Sequence, residues 1–161
     1  MGTHQEQVVQ GYLDDLFGDA EQIRTAVERH WHEDAVWRLI GQTIRSGEWN
    51  GIDGIKAFLR LGREGDGRDG PSVQGLSSEY GVHMQIHEIV STVDNRVIVF
   101  CSSDSAGRNG VPYNNEYCWV FTVRGDKIAR LDEYCDTLVI EQATFDKKLV
   151  PRGTTVPVYK T

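Results

Sequence analysis

The sequence is poor in features that would staple, anchor or charge a chain from outside its own core. Its three cysteines, Cys101, Cys118 and Cys135, are an odd set without C-x-x-C spacing, which excludes a disulfide framework and a zinc ribbon. They read as reduced, small, buried hydrophobes. No apolar run approaches the roughly 18 residues of a membrane span. The start, Met1-Gly2-Thr3-His4-Gln5-Glu6, has neither the basic patch nor the apolar stretch of a signal peptide. No membrane partner is expected, and a cytoplasmic location is. Positive charge is scarce, 17 Lys and Arg against 24 acids for a net charge of −7, so nucleic acid is not an expected partner either. Seventeen glycines form no G-x-x-x-x-G-K-[ST] or G-x-G-x-x-G phosphate loop. Internal repeats are absent too. What remains, 161 residues that are 39% hydrophobic and 25% charged, suits one globular domain with one sizeable core.

Val9, Tyr12, Leu13, Leu16 and Phe17 recur at helical spacing and predict an amphipathic helix ending near Gly18. Asp19 and Gln22 form a capping-box pair, after which Ile23, Ala26, Val27, His30 and Trp31 line one face of a second helix. A strand over 35–40 follows. Ser46-Gly47 and Trp49-Asn50-Gly51 mark a turn and a short strand leading into a third helix, with Ile52, Ile55, Phe58 and Leu59 on one side. The glycine-rich, charged stretch 62–75 reads as a mobile loop. Long strands are predicted over 80–93, 96–105, 112–123 and 127–137, separated by turn residues, as an antiparallel meander. A short helix over 138–146 closes the domain. Residues 147–161 form a tail in which Leu149-Val150-Pro151-Arg152-Gly153 resembles a vector-encoded protease site but reads as native. Helices followed by a sheet they cover on one face make an α+β domain over 1–146.

The last two strands permit a register argument, because turn length decides which side chains share a face. With a three-residue loop Arg124-Gly125-Asp126, Val123 pairs with Lys127. One face then collects Asn115, Tyr117, Trp119, Phe121, Ala129, Leu131, Glu133 and Cys135, and the other Asn114, Glu116, Thr122, Arg130, Asp132 and Asp136. The first face is mostly apolar and faces inward. Glu133 is its single carboxylate, and desolvation there raises a carboxyl toward the range useful for proton transfer near neutrality. The alternative is a structural Glu133 that reaches the sheet end and pairs with an arginine.

Three segments carry a family resemblance: His32-Glu33-Asp34-Ala35-Val36-Trp37, the run from Gly47 through Gly51 to Ile55, and the closing Tyr113 to Phe121, Gly125 to Ile128 and Asp132 to Asp136. In their order and spacing they resemble the nuclear-transport-factor-2-like superfamily, and within it the SnoaL-like, ketosteroid-isomerase-related branch. The resemblance implies a cone-shaped fold, a curved antiparallel sheet wrapped on three N-terminal helices. It also implies a homodimer through the outer sheet face, no cofactor, and chemistry on hydrophobic oxygenated ligands such as polyketides, terpenoids or steroids. Glu133 stands at the family's E/D-x-x-D/N position, whose first acid moves the proton in SnoaL-like cyclases. Leu39 stands where ketosteroid isomerase keeps its base. Ser103 and Ser105 stand where limonene-1,2-epoxide hydrolase has an Arg-x-Asp pair, so ketosteroid-isomerase-type enolisation is disfavoured and the epoxide-opening triad is not reproduced.

Candidate catalytic residues are therefore Glu133, with Tyr117 and Asn115 to orient or polarise a ligand, and with His83, His87 and Asp104 as possible partners. His83, Gln85 and His87 share one strand face and Val82, Met84 and Ile86 the other. Either set can face the pocket, and apolar sets normally do. Asp104 points inward only after a bulge. Tyr12, Trp37, Leu39, Trp119, Leu131, Ser103 and Cys135 are candidate ligand-binding walls, Tyr12 being equally a core residue. His30 and His32 form a poor metal pair and suit a helix C-terminus; no metal is expected. A non-catalytic ligand-binding or dimerisation module is the competing reading.

Overall fold

The computed structural model describes residues 2–59 and 83–148. The expected loop over 62–75 and the tail from 149 lie outside the described residues. Helix α1 (His4–Leu16) begins at a capping box in which Thr3 Oγ1 accepts from Glu6 N and Thr3 N donates to Glu6 Oε2. It buries Val9, Tyr12, Leu13 and Leu16. Helix α2 (Ala20–His30) is capped as its spacing predicts, Asp19 and Gln22 each donating from the backbone to the other's side chain at 2.9 Å.

Strand β1 (Trp31–Leu39) starts four residues before the expected position and takes Trp31 from the second helix. Tertiary packing overrides the helical spacing here: the rings of Trp31 and Trp37 stack at 5.6 Å with 4° between their planes, and both are buried. Strand β2 (Gly47–Asn50) and helix α3 (Gly51–Leu59) follow, the helix burying Ile55, Phe58 and Leu59. Next come β3 (His83–Ser91), β4 (Arg96–Asp104), β5 (Glu116–Arg124), β6 (Lys127–Cys135) and α4 (Thr137–Phe145), whose N-cap is Asp136.

Among the described residues the strands form one six-stranded sheet in the order β2-β1-β6-β5-β4-β3. Strands β3 to β6 are the antiparallel meander read from the sequence, and β2 pairs antiparallel with β1. The β1–β6 pair is parallel, so the sheet is mixed rather than purely antiparallel. Helices cover one face, over a core of Tyr12, Leu13, Trp31, Phe121, Ile128 and Leu131.

The β5–β6 connection corrects the expected register. Arg124 pairs with Lys127 across a two-residue turn, Gly125-Asp126, with Gly125 at φ 62°. A bulge then places Thr122 opposite Arg130 and Val123 opposite Ile128. Ala129 is the extra residue, so Ile128 takes the inward place expected for it. The two-residue turn plus one bulged residue leaves the pairing two residues away from the expected register, with Trp119 rather than Tyr117 opposite Glu133, and a shift of two keeps the same face, which is why Leu131 and Glu133 still face inward.

Candidate functional site

Glu133 sits on the central strand β6, paired with Trp119 of β5 on one side and Leu39 of β1 on the other. It is 6% exposed. Trp37 Nε1 donates to its Oε2 at 2.7 Å. The carboxyl forms part of a pocket of about 710 Å³, counted with its open mouth, whose walls include Leu16, Phe17, Leu39, Phe58, Leu59, Met84, Trp119 and Ile140. Burial pushes the Glu133 carboxyl from 4.5 up to about 7, against the opposing pull of the Trp37 hydrogen bond, the Arg45 charge and the Trp119 indole.

Three further polar groups share the pocket. Arg45 lies between β1 and β2 with its guanidinium 4.3 Å from the Phe58 ring centroid, and it donates to the Phe58 carbonyl. Its own backbone is pinned by Thr43 Oγ1 and by the Trp49 indole. Tyr117 donates to the Tyr113 hydroxyl at 3.2 Å, and Ser103 Oγ lies 3.2 Å from Tyr117 Oη and donates to the Tyr113 carbonyl. Burial holds both phenols protonated, Tyr113 being pushed up to about 12 and Tyr117 well above 10. Ser103 gives its single proton to the Tyr113 carbonyl and Tyr117 gives its own to the Tyr113 hydroxyl, so the hydroxyl chain ends on Tyr113, which lines the pocket.

The structure brings Trp37, Leu39, Tyr117 and Trp119 to the pocket with Glu133, and sets Ser103 behind the tyrosines. Other expected positions are corrected. Asn115 is 1% exposed, and its amide is bonded to the Asp136 backbone, Nδ2 donating to the carbonyl at 3.1 Å and Oδ1 accepting from N at 2.9 Å. It fastens the start of α4 and is absent from the pocket wall. Tyr12 and Leu131 are fully buried in the core, Tyr12 edge-on to Trp31 and Phe121, and Cys135, opposite Tyr117, lies outside the lining. His83 and His87 are exposed, because β3 turns Met84, Ile86 and Ile89 to the helices and a bulge at His87 keeps Ile89 in that phase. His87 Nε2 lies 2.8 Å from Ser102 Oγ. No bulge interrupts β4, so Asp104 is exposed while Ser103 and Ser105 are buried.

His30 Nε2 lies 2.6 Å from Asp15 Oδ2, and His32, on β1, lies 2.7 Å from the Arg124 carbonyl. Among the described residues no three His, Cys, Asp or Glu side chains converge as metal ligands. Sequence reasoning missed Arg45, Tyr113 and the helical walls. Tyr113 continues the alternation of 115, 117 and 119 and was findable, whereas Arg45 sits in a segment without periodicity.

An NTF2-like protein from Burkholderia xenovorans LB400 shares this architecture at 19% identity and a TM-score of 0.63, over 89% of this chain and 98% of that one. The chain has the NTF2-like fold. Two other structural neighbours carry enzyme names. One is assigned as a SnoaL-like polyketide cyclase from Jannaschia sp. CCS1, at 13% identity and a TM-score of 0.66, over 91% of this chain and 94% of that one. The other is an LEH-like epoxide hydrolase from M. tuberculosis, at 17% identity and a TM-score of 0.59, over 89% of this chain and 90% of that one. No protein-family model and no curated protein matches the sequence.

Proposed function

We propose that this NTF2-like chain is a small-molecule enzyme of the SnoaL-like kind, in which Glu133 moves a proton on a hydrophobic, oxygenated ligand during cyclisation, isomerisation or dehydration. One observation carries the reading: a single carboxyl, buried at the side of an open apolar pocket and raised to about 7. Such an acid is present in both protonation states at neutral pH and can take up and return a proton in one turnover. The Tyr113 hydroxyl would donate to the oxygen on which charge develops. The cyclase and epoxide-hydrolase names of two neighbours support a fold used for small-molecule chemistry.

Proton transfer can be tested without knowing the natural reaction. With 2-tetralone in heavy water, the wild type is expected to speed exchange of the α-hydrogens, and Glu133→Gln to lose about a hundredfold or more of that rate. A carbon-13 titration of Glu133 is expected to give a midpoint near 7. A midpoint in the ordinary carboxylate range overturns the reading and leaves a ligand-binding module.

The same reading extends to a homodimer through the outer sheet face. Phe100, Cys118 and Tyr134 lie in one cross-strand row there, with Phe100 43% and Tyr134 48% exposed. Exposed apolar patches of this kind mark association surfaces. Sedimentation velocity is expected to show a dimer that Phe100→Glu splits. A monomeric wild type at micromolar concentration rejects it.

A further inference from the structure

Two indoles flank one carboxyl in this pocket, and only one of them is bonded to it. Trp37 Nε1 donates to Glu133 Oε2. Trp119, directly across the β5–β6 pair, is 5% exposed, and its Nε1 is buried with no acceptor among the described residues. That nitrogen is still close enough to the carboxyl to favour its charged form. A buried donor without an acceptor is costly.

Proton bookkeeping on the acid explains why the donor is left waiting. With Oε2 accepting from Trp37, the proton of the neutral acid resides on Oε1. An indole N–H can only donate, and a protonated Oε1 is a weak acceptor whose hydrogen takes up part of its approach, whereas ionisation turns Oε1 into a strong, charged acceptor. We propose that Trp119 is a positioning residue for Glu133: its indole N–H closes onto Oε1 when the acid releases its proton, so that Trp37 and Trp119 hold one carboxylate oxygen each. The ionised state then finds its second donor inside the dry pocket, already oriented by the sheet. Among the described residues, the other ionisable groups that interact electrostatically with Glu133 are Arg45, Tyr12, Tyr113, Tyr117, Cys101 and Cys135. Of these Arg45 is the cation, and burial keeps the tyrosines and cysteines protonated through neutral pH, so Glu133 is the group whose charge changes there.

This inference rests on the reading of Glu133 as the titrating acid, and the experiment separates the two. Indole N–H resonances are followed by nitrogen-15 NMR on the full chain from about pH 5 to 9, beside the carbon-13 signal of Glu133. The Trp119 resonance is expected to move downfield with the Glu133 midpoint, to lose that step in Glu133→Gln, and to contrast with Trp49, which is bonded to the Arg45 carbonyl. In Trp119→Phe the midpoint is expected to rise by about one pH unit, a tenfold weaker acid. A Glu133 midpoint near 7 with a flat Trp119 resonance, or an unchanged midpoint in Trp119→Phe, overturns this inference alone. A Trp119 resonance that follows a Glu133 midpoint near 4.5 keeps the pairing and overturns the enzyme reading. Should Trp119→Phe fail to fold, the wild-type resonance decides.

Discussion

Ser103 shows how much a small side chain can hold at the residue scale. Its hydroxyl accepts from Asn115 N at 3.3 Å, donates to the Tyr113 carbonyl and lies within hydrogen-bond distance of Tyr117 Oη. Ser103→Ala leaves those buried partners short of a contact, and the expected destabilisation is about 1–3 kcal/mol, read as a lower urea midpoint at unchanged slope. The tyrosine chain would also loosen, so tetralone exchange is expected to fall while the Glu133 midpoint stays near 7. An unchanged urea midpoint means that the hydroxyl is dispensable. Glu133 was legible in the sequence because period-two alternation puts one acid among apolar neighbours. Asn115 obeys the same alternation yet faces backbone, since alternation fixes the face but not the partner. Arg45 obeys no period at all and is placed by its stack on Phe58, a contact only the folded chain reveals.

At the scale of elements, the β5–β6 hairpin aims Glu133, and its turn depends on Gly125 at φ 62°. A Cβ at that glycine would meet nothing within 4 Å, so Gly125→Ala tests backbone conformation without steric interference. The expected cost is about 1 kcal/mol, measured by urea unfolding; no loss would mean the turn relaxes freely. The helices and the meander were readable because their apolar periods run long and their caps are local, as Asp19 with Gln22 illustrates. The early start of β1 was not readable, because Trp31 fits the helical face by spacing and the strand by its stack on Trp37. Turn length and bulge were equally hidden, since a three-residue loop and a two-residue turn with bulged Ala129 produce the same inward set beyond Arg130.

For the whole molecule, the acids pull stability in opposite directions with pH. Glu133 has its folded value near 7, above its ordinary 4.5. The folded state therefore binds more protons than the unfolded one between those values, and stability falls as pH rises through that window, by about 3 kcal/mol. Asp15 behaves conversely: hydrogen bonding to His30 first, then Gln22 and the Arg29 charge, holds it below 3.8 against the cost of its burial. Its contribution is present above 3.8 and lost as pH falls through the folded value. Glu6, Asp34 and Asp94 are likewise held low, by hydrogen bonds from Ser91, Arg124 and Arg96 respectively. The two trends meet near pH 5, where urea midpoints scanned from about pH 3 to 8.5 are expected to peak. Glu133→Gln is expected to flatten the descent above pH 5 and leave the acid side intact, whereas Asp15→Asn softens the acid side alone. If Glu133→Gln keeps the wild-type descent, the carboxyl is not held out of water in the folded chain, and the pocket has no proton to transfer at neutral pH.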